Sequence, residues 1–149
     1  MLTALQANRL TVNLRKCKWA IQETDWFGYW LTPEGLKPWQ KKIVAILNMD
    51  RPRNLKKMQS LLGAVNYYRD MWPKQAQILS PISDESGKKI FCWTDEMDNV
   101  FKQIKAILSA DALMAYPNHN KPFHIYTDAS DYQMGAFIIQ DEKPVAYWS

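Results

Sequence analysis

Proline placement sets the longest helices and strands this chain can build, because proline breaks a helix interior and leaves a strand short of one donor. Pro38 suits the first turn of a helix, where no hydrogen bond is lost, and Pro52 bars that helix from continuing. Between them Ile43, Val44, Ile46 and Leu47 supply an apolar side, which predicts a helix over 38–48. From Leu55 to about Trp72, apolar residues recur at Leu55, Met58, Leu61, Leu62 and Val65, the spacing of an amphipathic helix that Pro73 stops. The polar run from Gln75 to Lys89, with Pro81 and Gly87, reads as a connector. Thr94 is a good N-cap, Asp95 and Glu96 complement the helix dipole, and Met97, Val100, Phe101, Ile104, Ile107 and Leu108 form one stripe. A helix over 95–108 follows.

The remaining segments carry strand signals. Leu2, Leu5 and Leu10 fall on one side of a short helix end. Cys17 to Gln22 and Asp25 to Thr32 are rich in aromatic and branched residues with polar Glu23-Thr24 between them, which predicts a hairpin. Pro33-Glu34-Gly35 is a turn signal. Beyond the loop at 117–122, Phe123 to Thr127, Gly135 to Gln140 and Pro144 to Ser149 predict three strands, with Asp141-Glu142 in the second turn. The expected class is α+β: a small β-hairpin, a helical bundle around the two central helices, a connector with one further helix, and a short antiparallel sheet.

Charge divides the chain unevenly. The net charge is +4, yet residues 1–74 hold thirteen Lys/Arg against five Asp/Glu and residues 75–149 hold six against ten. A basic front half suits a polyanionic partner, or else presents ordinary lysines to solvent. Seven Trp and seven Tyr need either a buried surface or a flat ligand on which to stack. Cys17 and Cys92 have no CxxC or His-paired spacing, which argues against a zinc site and a disulfide framework and fits a reducing compartment. No run of about eighteen apolar residues marks a membrane span, and the start lacks the pattern of a secretory signal. A soluble, untargeted chain is expected.

Three groups of residues are candidates for chemistry. Gln59, Gly63 and Tyr67 sit four residues apart and share one helix face, offset from the apolar stripe. A gap at Gly63 flanked by an amide and a phenol suits the shallow minor groove of an A-like duplex, with Arg51, Arg53, Lys56 and Lys57 placed to hold phosphates. The competing reading of Gly63 is a notch for helix packing. Trp26-Phe27-Gly28-Tyr29 puts aromatic side chains around a glycine in a strand, which reads as a bulge or a close backbone approach to a ligand, or else as plain core packing. Tyr126-Thr127-Asp128-Ala129-Ser130-Asp131, followed by apolar Met134, Ala136, Phe137, Ile138 and Ile139, reads as the opening of a metal-dependent nuclease domain cut short. Mg²⁺ there needs two or three more carboxylates, and none follows Asp128 at a plausible place.

Lys16-Cys17, Phe27-Gly28-Tyr29, Pro33-Glu34-Gly35-Leu36, Arg51-Pro52-Arg53-Asn54, Leu62-Gly63-Ala64-Val65-Asn66-Tyr67-Tyr68-Arg69, Phe91-Cys92-Trp93-Thr94, and Thr127 to Tyr132 with Pro144-Val145-Ala146-Tyr147 follow one another in order. In that series the chain resembles the polyprotein of gypsy-type LTR retrotransposons across essentially its whole length. The resemblance implies a palm-end, primer-grip-like hairpin over 1–36, thumb-like helices over 37–74, a connection-like segment over 75–120, and the first ribonuclease H-like strands over 121–149. It implies that Trp26, Phe27, Gly28 and Tyr29 grip a primer end and that Gln59, Gly63 and Tyr67 track a duplex minor groove. Asp128 matches the first metal-binding carboxylate of the ribonuclease H domain.

The Tyr-x-Asp-Asp turn of such polymerases is absent. The expectation is therefore a reverse transcriptase and ribonuclease H portion that binds an RNA or DNA duplex without a complete catalytic centre. No cofactor is expected in this chain, although the intact enzyme it resembles uses Mg²⁺. The alternative is a host-retained remnant serving as a structural subunit. In that case a larger protein assembly covers the open sheet edge, with Trp26, Trp30, Trp39 and Trp72 as anchors.

Overall fold

Two separate three-stranded antiparallel sheets accompany the helices in the computed structural model, which describes residues 2–87, 90–110, 112–129 and 134–149. In chain order the elements are α1 (Leu2–Ala7), β1 (Thr24–Trp26), β2 (Tyr29–Thr32), β3 (Gly35–Pro38), α2 (Gln40–Leu47), α3 (Leu55–Asn66), α4 (Gln75–Ser86), α5 (Asp95–Ser109), β4 (His124–Ala129), β5 (Met134–Gln140) and β6 (Lys143–Trp148). The mixed α+β class expected from the sequence is the class observed.

The apolar stripes of the helices meet in one core. Ile43 and Ile46 of α2, Met58, Leu61, Leu62 and Val65 of α3, Leu79 and Ile82 of α4, and Met97, Val100, Phe101, Ile104 and Leu108 of α5 are all buried there. Thr94 caps α5 by accepting from the Met97 amide at 3.3 Å, and Asn54 caps α3 by accepting from the Lys57 amide at 2.9 Å. Val44, assigned by the sequence to the apolar side of α2, stays exposed.

Helix boundaries differ from the sequence reading in three places. Residues 75–86 form α4, although Pro81 lies inside them. Pro81 has no amide for the Gln77 carbonyl four residues back, and the Ser80 hydroxyl donates to that carbonyl instead at 3.0 Å. With the orphaned acceptor satisfied, burial of Leu79 and Ile82 suffices to hold the helix. Pro38 ends β3, paired with Tyr29, and α2 begins at Gln40. The predicted helix over 55–72 stops at Asn66 and is continued by a short 3-10 turn over Arg69–Met71 that turns Tyr68, Met71 and Trp72 into the core. Trp72, expected as an exposed anchor, is 3% accessible and has no surface to offer a partner.

The first hairpin is also displaced. Cys17 to Gln22 form no strand; β1 pairs with β2, Trp26 opposite Tyr29, around a two-residue turn of Phe27 and Gly28. Both turn residues have positive φ, 43° and 77°, the handedness that matches strand twist in a tight hairpin. Phenylalanine is a strand former, so local propensity conceals the turn. The Pro33-Glu34 turn lies where expected, closed by the Thr32 hydroxyl, which accepts from the Gly35 amide at 3.2 Å.

The second sheet runs β4-β5-β6, close to the predicted strand limits. It is fastened to the rest through Leu36 and Met114, which exchange backbone hydrogen bonds of 2.8 and 2.9 Å, and through the Ala115 amide donating to the Pro144 carbonyl at 2.7 Å. Gln140 is its buried polar anchor. The side-chain oxygen accepts from the Asn118 amide at 2.8 Å, while Nε2 donates to the Asn118, Lys121 and Pro122 carbonyls at 2.9, 3.1 and 3.3 Å. Replacing Gln140 by Leu is expected to cost about 1–3 kcal/mol in urea unfolding, because the loop loses its partners inside a buried site.

Candidate nucleic-acid interface

Burial of Met58, Leu61, Leu62 and Val65 on one side of α3 turns Gln59 and Gly63 to the other, where both are exposed. Lys56 lies three residues before Gln59 and extends the same face. A side chain begun at Gly63 would meet nothing within 4 Å. Among the described residues no neighbouring element occupies the gap, which argues against the packing-notch reading of this glycine and leaves the backbone open along the helix. Tyr67, the residue after α3, is 40% exposed at the far end of that face.

The hairpin turn sits against this end of α3. Tyr68 donates to the Gly28 carbonyl at 2.7 Å and Tyr67 donates to the Phe27 carbonyl, while the Tyr29 hydroxyl returns a bond to the Tyr67 carbonyl at 3.1 Å. The Trp39 amide also donates to the Gly28 carbonyl, at 3.1 Å. The three tyrosine rings pack together, Tyr29 stacked on Tyr67 at 5.6 Å and Tyr68 edge-on to both. Lys42 lies over the Tyr67 ring, its Nζ 4.0 Å from the centroid. Gly28 is required by this crowding as well as by its φ, since a Cβ there would lie 2.6 Å from Lys42 Nζ and 3.0 Å from the Tyr67 ring.

Of the sequence candidates, then, Gly28, Tyr29 and Tyr67 come together, whereas Trp26 and Phe27 project as an exposed edge-to-face pair, 55% and 74% accessible, at the hairpin tip. The bulge expected at this position is a turn, and the core-packing alternative fails for Trp26 and Phe27. Tyr68 and Lys42 escaped the sequence reading as site residues, and Trp39, read there as an anchor for a protein partner, contributes its backbone amide to the turn. The adjacent pair Tyr67-Tyr68 was the available signal, because one helix end cannot expose both rings.

Burial, followed by the neighbouring Tyr67, raises the Tyr68 hydroxyl to about 12, and the same two causes raise Tyr29. Arg51, Arg53, Lys56 and Lys57 are exposed, and among the described residues none of them belongs to an ion pair. Arg53 and Lys57 line one cleft of about 340 Å³ beside the start of α3.

Asp128 lies on β4 opposite Gly135, on a strand whose every residue is exposed. Ser130, Asp131 and Tyr132 of its motif lie outside the described residues. Among the described residues no three His, Cys, Asp or Glu side chains converge. No described helix is long and apolar enough to cross a membrane.

The family model for the RNase H-like domain found in reverse transcriptase matches residues 93–149. The Pol polyproteins of transposons opus and 297 from Drosophila melanogaster are 31% and 30% identical over 100% and 99% of this chain, and the Tf2-3 polyprotein of Schizosaccharomyces pombe is 30% identical over 100%. The chain belongs to the Pol polyproteins of gypsy-type LTR retrotransposons. It runs from reverse transcriptase into the ribonuclease H-like domain and spans only 16%, 14% and 12% of those three Pol polyproteins. Among solved structures, a foamy viral protease-reverse transcriptase in complex with an RNA/DNA hybrid shares the fold at a TM-score of 0.79, with 24% identity over 90% of this chain and 19% of that one. A second, in complex with double-stranded DNA, has a TM-score of 0.77 at 24% identity over 86% of this chain and 28% of that one.

Two measurements check the geometry of this Pol segment. Gly63→Ala should stabilise the protein by up to about 1 kcal/mol in urea unfolding, since alanine is the better helix former and its methyl group meets open space. Tyr68 holds its proton more tightly folded than unfolded, where the phenol titrates near 10. Its contribution to stability is therefore complete below about pH 10 and is lost as pH rises toward 12. The melting temperature should fall across that window, and Tyr68→Phe should flatten the fall.

Proposed function

We propose that this part of the Pol polyprotein grips a nucleic-acid duplex, with the exposed face of α3 lying in the shallow groove and the hairpin tip held against the same duplex. The reading rests on Gly63. A bare stretch of backbone on a helix face, flanked by Gln59 and Tyr67 and met by none of the described residues, suits close approach by a sugar edge. Arg53, Lys56 and Lys57 supply phosphate contacts at the start of that face, and Trp26, Phe27, Gly28 and Tyr29 form the grip beside its end. In these terms residues 1–36 are the primer-grip-like hairpin, 37–74 the thumb-like helices, 75–120 the connection-like segment and 121–149 the opening strands of the ribonuclease H-like domain. The foamy viral enzymes of the same fold, seen with an RNA/DNA hybrid and with double-stranded DNA, support a duplex as partner.

A second reading rests on the exposed β4, with Ile125 63% and Met134 63% accessible on the same sheet. A protein assembly that covers this edge is the partner in that case, and purification of the chain with stable protein and no nucleic acid would favour it.

Fluorescence anisotropy on a labelled RNA·DNA duplex separates these readings. Three phosphate contacts predict roughly a 40-fold loss of affinity between 50 and 200 mM salt. Gly63→Leu should weaken binding about tenfold or more with an unchanged salt slope, because it fills the groove-facing gap without altering charge. Absence of binding at low salt, or indifference to Gly63→Leu, would refute duplex tracking by α3. Neither polymerase nor nuclease turnover is expected of this chain alone with Mg²⁺ or Mn²⁺, and turnover abolished by Asp128→Asn would overturn that expectation.

A further inference from the structure

At the opposite end of α3 from Tyr67, a cleft of about 550 Å³ opens between Asp50, Arg51, Pro52, Arg53, Phe91 and Trp93. Its volume suits one small ligand. Phe91 and Trp93 are packed against the core and lie 6.4 Å apart with a 33° tilt, so the wall they form is fixed before any ligand arrives. Phe101 holds Trp93 edge-on at 6.1 Å. The Arg51 guanidinium lies over the Trp93 ring, 5.7 Å from its centre, and presents a planar cation beside an aromatic face.

The electrostatics select the ligand. Asp50 lines the same cleft, yet among the described residues neither Arg51 nor Arg53 forms an ion pair with it or with any other carboxylate. Arg51, one face against Trp93 and its charge also felt by Asp98, and Arg53 together favour an anion with several oxygens, and the aromatic wall favours a flat ring carried by the same molecule. A nucleotide has both. Asp50 repels the phosphate and accepts hydrogen bonds, so it belongs at the base edge, where adenine, cytosine and guanine carry an exocyclic amine and uracil and thymine do not.

We propose that this cleft binds one unpaired nucleotide of a single strand, its phosphate held by Arg51 and Arg53, its base on the rings of Phe91 and Trp93, and an exocyclic amine donated to Asp50. Arg53 also lines the adjoining smaller cleft with Lys57 and Ser60, which continues toward the exposed side of α3. If the duplex lies along α3 as argued above, the thirteen-residue path from Asn54 to Tyr67 is about 20 Å, roughly six phosphate spacings along one strand. The cleft would then receive a strand flanking the paired region.

The test uses the whole chain and short labelled single strands without any duplex. Oligo(dA) should bind about tenfold tighter than an abasic strand of equal length and several-fold tighter than oligo(dT). Phe91→Leu should remove most of the gain over the abasic strand, whereas Arg51→Lys should weaken base-bearing and abasic strands alike, because lysine keeps the charge and loses the planar fork that holds the phosphate. Asp50→Ala, which removes the acceptor, should erase the preference for dA over dT. Equal affinity for base-bearing and abasic strands in the unaltered protein would overturn the proposal, as would no single-strand binding at low salt; neither result depends on whether a variant folds. Gly63→Leu, measured alongside on single strand and duplex, keeps the two ideas apart. Loss on duplex with single-strand binding intact leaves both standing, whereas duplex binding that ignores Gly63→Leu refutes only the reading of α3.

Discussion

Two backbone carbonyls in a tight turn, those of Phe27 and Gly28, fix the geometry of the whole front half of the protein. Each accepts a phenolic hydrogen from the end of α3, Tyr67 to Phe27 and Tyr68 to Gly28, and the Tyr29 hydroxyl returns the bond to the helix end. The hairpin is three short strands with little apolar surface beneath it, too small to hold its own position. Docking on the tyrosines gives it one. The exposed Trp26 and Phe27 are thereby carried at a set place relative to the open face of α3, and Lys42 closes the gap from the side of α2.

The helices behind that junction form a core in which, among the described residues, the indole N–H groups of Trp72 and Trp93 are buried without a hydrogen-bond partner, while backbone irregularities at its margin are met by side chains. Ser80 supplies the donor that Pro81 lacks, and Gln140 holds the loop over 118–122 with one accepted hydrogen bond and an amide nitrogen whose two hydrogens are shared among three carbonyls. In both cases a side chain gives a backbone group the partner that the regular ladder cannot provide. The second sheet is attached by main-chain bonds at Leu36–Met114 and Ala115–Pro144, so it is tied both to the first hairpin and to its own last strand. Its outer strand β4 remains open to solvent along its full length.

The basic excess of the first half gains meaning from its placement. Arg51, Arg53, Lys56 and Lys57 gather at the N-terminal end of α3, where no acidic residue occupies the first turn. Helix dipole and side chains there carry the same sign, an arrangement that disfavours the helix slightly and favours an anionic partner. The acidic residues of the second half lie elsewhere, three of them in the first turn of α5, where they serve the helix itself.

Periodicity, caps and turn chemistry in the sequence were enough to determine α5, the buried face of α3, the Pro33-Glu34 turn and the three strands of the second sheet. In these segments local preference and burial agree, so no distant contact had to overrule them. The position of the first hairpin turn, the helical state of residues 75–86, the burial of Trp72 and the openness of Gly63 were decided only in three dimensions. Phe27 adopts positive φ because Tyr67 and Tyr68 hold the turn from some forty residues away. Pro81 is tolerated because Leu79 and Ile82 find a core beneath them. A residue's own preference is worth a few tenths of a kcal/mol to about 1 kcal/mol, and a buried contact supplied by a distant segment exceeds it.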